Sequence, residues 1–109
     1  MRKGIPNEPP EHKGFTAALA QYRWKCRKTG VRFSLERDQV FSFFKAPCFY
    51  CASPPSPRTG IDRLDPRAGY VIGNVVPCCW LCNRMKSNTP ALAFVQRCVA
   101  ISKTAWSLA

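Results

Sequence analysis

The chain has 109 residues, the length of one small domain, and a domain of this size buries too little surface to gain much stability from its core alone. Its 46% hydrophobic content and mean hydropathy of -0.22 exclude wholesale disorder, and no apolar run is long enough to span a bilayer. Seventeen Lys and Arg against six Asp and Glu give +11 at pH 7, a field that favours a polyanion, nucleic acid before an acidic membrane face or an acidic protein.

Residues 1–12 carry Pro6, Pro9 and Pro10 and read as a flexible basic arm, followed by a single domain over residues 13–109. The first residues lack the apolar core of a secretory signal, so a reducing, cytoplasmic setting is expected. From residue 14 to 29, Phe15, Ala18, Leu19, Tyr22 and Cys26 recur at helical spacing, with Arg23, Lys25, Arg27 and Lys28 largely on other faces. Gly30 supplies a left-handed stop. Residues 31–33 form a short extended link, and Ser34 is the expected N-cap of a second helix that ends before Pro47 and buries Val40, Phe41 and Phe44. These aromatics read as helix packing, not as a stacking platform. Pro54, Pro55 and Pro57 make residues 52–59 an irregular loop. Residues 60–64 and 70–76 are the expected strands of a hairpin turning through residues 65–69. A helical turn over residues 83–87 and a last helix over residues 91–106 follow, the latter with Leu92, Val95, Val99 and Ile101 or Lys103 at its inner edge. Cys26 and Cys98 read as small core residues.

Seven cysteines without a secretory signal point to metal-binding thiols and away from disulfides. Cys48-Phe49-Tyr50-Cys51 and Cys79-Trp80-Leu81-Cys82 are two C-x-x-C knuckles, each aiming two sulfurs at one point. Together they complete a closed four-sulfur tetrahedron, the shell of a structural Zn²⁺, whereas a catalytic zinc keeps one position open. Cys78 adjoins Cys79, but its offset from Cys82 makes it the poorer ligand, and it is expected to be buried and free of metal.

Between and beside the knuckles run Gly60-Ile61-Asp62-Arg63-Leu64-Asp65, Gly69-Tyr70, Gly73-Asn74-Val75-Val76-Pro77-Cys78-Cys79 and Cys82-Asn83-Arg84-Met85-Lys86-Ser87. Over about residues 48–87 this order resembles the HNH endonucleases, in particular the small phage and bacterial members with two zinc knuckles. The resemblance implies an α+β fold: two N-terminal helices, a zinc-stapled ββα-metal unit over about residues 48–88, and a C-terminal helix. It also implies a metal-dependent endonuclease that hydrolyses phosphodiester bonds in DNA, nicking or cleaving it. Asp62 matches the carboxylate that binds a catalytic Mg²⁺ or Mn²⁺, and Asn83 matches the second ligand of that ion. Asn74 matches the central Asn that orients the general base and the hairpin loop. A carboxylate and an amide oxygen are hard ligands that suit a partly hydrated Mg²⁺.

The family's usual general-base His is replaced here by Arg63, which stays protonated and cannot take a proton. Three outcomes stay open. Arg63 clamps the scissile phosphate while the metal site or Asp65 takes over as base, giving a slow nuclease with Asp62, Arg63, Asp65, Asn74 and Asn83 as its catalytic set. Alternatively the domain is a degenerate zinc module that binds DNA or RNA without cutting it. Thirdly, Asp62, Arg63 and Asp65 form only a structural ion-pair set. Arg84 and Lys86, at the start of the helix after the knuckle, are candidate phosphate contacts, as are Arg58, Arg63 and Arg67 at the hairpin. The partner is then DNA, held mainly by its phosphates in a bacterial or phage-infected cell, with a second copy or a phage protein as further candidates; a basic protein-interaction domain is the weaker rival.

Overall fold

The computed structural model of the protein describes residues 14–108; the arm expected over residues 1–12 lies outside them. Helix α1 (Phe15–Thr29) buries Phe15, Leu19 and Cys26, and it ends at Gly30, whose left-handed backbone (φ 77°) lets its amide return to the Cys26 carbonyl. Helix α2 (Arg37–Phe44) begins later than Ser34. Phe33 bridges Tyr70 in parallel, and the Ser34 amide donates to the Tyr70 carbonyl at 3.0 Å, so the chain stays extended through residue 34. Glu36 is the N-cap instead, in a reciprocal capping box with Gln39.

Strand β1 (Gly60–Arg63) pairs antiparallel with β2 (Val75–Cys78) in the register Gly60 to Cys78, Ile61 to Pro77, Asp62 to Val76 and Arg63 to Val75. The second strand thus starts five residues beyond the expected 70, because Tyr70 is drawn off to Phe33. Pro77 is tolerated because a two-stranded sheet has only edges, and its carbonyl accepts the Phe49 amide at 2.9 Å, tying the first knuckle to the hairpin. Helix α3 (Trp80–Lys86) starts earlier than expected, directly after Cys79. Its N-cap is Cys79, whose sulfur accepts the Cys82 amide at 3.4 Å, so the second knuckle is the first turn of the helix.

The main core joins Phe15 and Leu19 of α1, Leu35, Val40 of α2, Ile61 of β1 and Val75 of β2. Val40 and Ile61 are 0% and 1% exposed; burying such a side chain contributes about 1.5–3 kcal/mol. Phe15, Phe41, Phe44, Tyr22 and Tyr70 stack edge to face around it at centroid separations of 5.2–6.4 Å. Gly60 is required by this contact: a Cβ there would lie 2.5 Å from the Tyr22 hydroxyl, which accepts the Ile61 amide. Helix α4 (Ala91–Ala105) runs on into a 3₁₀ turn, Trp106–Leu108. It docks by Phe94, edge-on to Tyr50 at 5.4 Å, and by the Ala91 amide on the Leu64 carbonyl. The inner edge expected for this helix is therefore wrong: Leu92, Val95, Val99 and Ile101 are 43–70% exposed, and Lys103 is exposed as well. Among the described residues no helix is long and apolar enough to cross a membrane.

Candidate active site

The sulfurs of Cys48, Cys51, Cys79 and Cys82 all lie within 4.8 Å of one another. Cys51 Sγ and Cys79 Sγ are 3.8 Å apart, which matches the edge of about 3.8 Å in a tetrahedron with metal–sulfur bonds of about 2.3 Å. The Ser53 hydroxyl, helped by the Ser53 backbone, pulls the Cys51 thiol down to about 6, whereas burial and the neighbouring sulfurs push Cys82 up. Four thiols this close cannot all ionise without a cation among them. The four cysteines are thus placed to hold a metal ion such as zinc. Cys78 stands outside this set, fully buried, its thiol raised by desolvation and by the Asp62 charge.

One strand and one helix away, Asp62 and Asn83 line a shared cavity of about 520 Å³. Asp62 is 6% exposed, and both of its carboxylate oxygens are engaged. Tyr50 donates to Oδ2 at 2.8 Å, and the Lys86 ammonium donates to Oδ1 at 3.2 Å and to the Arg63 carbonyl at 2.9 Å. A carboxylate offers about four lone-pair positions, so half remain for another ligand. The Asn83 side chain makes no hydrogen bond among the described residues. The carboxylate and the amide that line this cavity are hard donors of the kind a partly hydrated divalent cation takes.

Lys86 corrects an expectation. It is 1% exposed and cannot meet a phosphate from its present position, because the last turn of α3 turns it inward onto Asp62 and away from the surface. Asp65 stands apart from Asp62: its carboxylate accepts the Arg67 amide at 2.9 Å and pairs with the Arg67 guanidinium at 3.1 Å, on the hairpin turn and not in the cavity wall. That hydrogen bonding holds the Asp65 carboxyl below the usual carboxylate range. Arg63 does line the cavity, anchored by the Pro66 and Ala68 carbonyls at 2.9 and 3.1 Å and lying 4.9 Å from the Tyr70 ring centroid. Asn74 closes the hairpin loop, accepting the Asp65 amide and donating to the Asp65 and Gly69 carbonyls at 2.9–3.1 Å.

The arrangement of helices around this two-stranded hairpin recurs in a solved structure. The rare-cutting HNH restriction endonuclease PacI, which exhibits an extraordinary mechanism of DNA perturbation, matches with a TM-score of 0.68. The match covers 93% of this chain and 91% of that one at 19% identity. The fold is that of an HNH endonuclease. In sequence, an uncharacterized protein of Acanthamoeba polyphaga mimivirus is 28% identical over 83 residues, which are 75% of this chain and only 16% of that protein. No family profile matches the chain.

Around the HNH core the remaining cations stay outside. Arg67 is exposed on its turn, while Arg58 and Arg84 lie over the Trp80 ring at 4.0 and 5.8 Å. Tyr50, which bonds Asp62, and Trp80, which carries Arg58 and Arg84 over its ring, are contacts that sequence reading missed. Both sit inside the knuckles, in the x-x positions between paired cysteines, and those positions were the available signal: a knuckle that ties down its ends also aims what lies between them.

Proposed function

We propose that this chain is a metal-dependent DNA endonuclease of the HNH type that hydrolyses phosphodiester bonds. The observation that carries the reading is the opening of Asp62 and Asn83 into one cavity on a hairpin-helix unit clasped by four cysteines. Cys48, Cys51, Cys79 and Cys82 hold a structural zinc ion, and Asp62 and Asn83 hold Mg²⁺ or Mn²⁺. When bound, the divalent ion supplies positive charge against the scissile phosphate and the departing oxygen. Lys86 and Tyr50 keep the Asp62 carboxylate in one orientation. Asn74 holds the hairpin loop, and Arg63 adds a fixed positive charge to the cavity wall for the phosphate.

No imidazole lies among the described residues, and Asp65 is clasped by Arg67, so the cleft lacks a strong side-chain base and slow turnover is expected. Lys86 already answers part of the Asp62 charge, which makes metal affinity weak and activity dependent on millimolar ion. The test is nicking of supercoiled plasmid by the zinc-loaded chain in Mg²⁺ or Mn²⁺. Wild type should nick, and Asp62→Ala and Asn83→Ala should each lose about a hundredfold. A wild type that never nicks, or variants that cut as fast as it does, would overturn the reading.

The Lys86 ammonium on Asp62 also favours a second reading, a domain that binds DNA or RNA without cutting it, since the pair is complete without a divalent ion. Salt-sensitive binding with no nicking in any metal would establish that alternative.

A further inference from the structure

A second, larger groove of about 1110 Å³ opens on the other side of Asn83. Trp80, Asn83, Arg84 and Ser87 line it from one face of α3, and Asn83 and Ser87 also line the Asp62 cavity, so the two spaces adjoin. Tyr22, Phe41 and Phe44 contribute aromatic carbons to the groove, Lys45, Arg58 and Arg84 contribute charge, and no acidic residue lines it. The Arg58 guanidinium stacks 4.0 Å from the Trp80 ring centroid, and Trp80 remains 37% exposed.

From these features we infer that the groove receives an unpaired nucleotide of the DNA strand, its base against the Trp80–Arg58 stack and its phosphates on Arg58, Arg84 and Lys45. The inference rests on the nuclease reading and names the form of its substrate. Charge complementarity selects a polyanion, and the aromatic surface selects one that carries planar rings; bases stack on aromatic rings and on arginine planes once they leave the duplex. Size agrees, because a groove of about 1110 Å³ has room for a nucleotide. Position agrees as well. Trp80 and Asn83, three residues apart on α3, line the groove together, and Asn83 also lines the Asp62 cavity. The stacked base therefore neighbours the phosphate that Asn83 faces.

The experiment measures binding by fluorescence anisotropy, with the zinc-loaded full chain and no added Mg²⁺ or Mn²⁺. The ligands are a labelled single strand, an abasic strand of equal length, and a fully paired duplex. Wild type should bind the single strand at least about tenfold more tightly than the abasic strand. Trp80→Ala should remove most of that difference, Trp80→Phe should restore part of it, and Arg58→Ala should weaken both strands. Trp24→Ala, at an exposed tryptophan outside the groove, should bind as wild type does. Circular dichroism and zinc content confirm that each variant is folded. Equal binding of abasic and base-containing strands, or a Trp80→Ala variant that binds as wild type does, would overturn the inference. Plasmid nicking measured in parallel separates the two claims: a wild type that nicks but ignores Trp80 overturns only the groove, and an inert wild type that binds bases through Trp80 overturns only the nuclease.

Discussion

Lys86 shows how burial alone changes what a charged residue does. In the sequence it follows Asn83 and Arg84 as one more cation on a basic chain, yet in the fold its ammonium sits between the Asp62 carboxylate and the Arg63 carbonyl. Removing one member of a buried pair strands the other charge. Lys86→Met should lower the unfolding free energy by about 3 kcal/mol in chemical denaturation, and Asp62→Asn/Lys86→Met should lose less than the single variant, because no charge is then left alone. Ser87 makes the opposite case. Its backbone (φ 51°, ψ -129°) is the first central position of a turn closed by the Thr89 amide on the Lys86 carbonyl, a conformation that favours glycine. Ser87→Gly should raise stability by about 1 kcal/mol in the same assay.

Helix α3 combines three duties in seven residues. Its first turn carries Cys79 and Cys82, its middle carries Asn83, and its last turn carries Lys86. The four-cysteine cluster is placed to tie this helix, through a metal ion, to the knuckle that bears Tyr50. A zinc chelator should accordingly unfold the α3 region together with the hairpin, seen as loss of helical circular dichroism, and added zinc should restore it; full retention of structure without metal would contradict a structural role. Cys48→Ser should reproduce the loss. Helix α4 depends on less, chiefly Phe94 against Tyr50. Its sequence could not say which stripe faces inward, because Phe94 with Cys98 and Ile101 and Leu92 with Val95 and Val99 are two apolar stripes of similar strength.

Across the whole molecule the net charge of +11 makes nucleic-acid affinity a function of salt. Arg84 is exposed beside Trp80, whereas Lys86, two residues on, is closed off. Arg84→Ala should therefore reduce the slope of log affinity against log salt by about one, while Lys86→Met should leave that slope unchanged if the variant is folded. The two substitutions remove the same formal charge, so the difference between them measures position alone.

What the sequence by itself determined is the set of parts whose chemistry is local. Two C-x-x-C turns each bring a pair of sulfurs together, Gly30 stops α1, and the prolines of residues 52–59 forbid regular structure. The HNH resemblance, and the α+β architecture it implies, rest on the order of the segments Gly60–Asp65, Gly73–Cys79 and Cys82–Ser87 around the knuckles. Only tertiary structure decided the rest: that Tyr70 pairs with Phe33 and leaves β2 to begin at Val75, that Lys86 neutralises Asp62, that Asp65 clasps Arg67, and that the apolar stripe of α4 faces outward. Each of those outcomes is set by a partner distant in sequence or by which face of an element packs inward. Neither spacing nor composition encodes that choice, because burial is a property of the assembled fold.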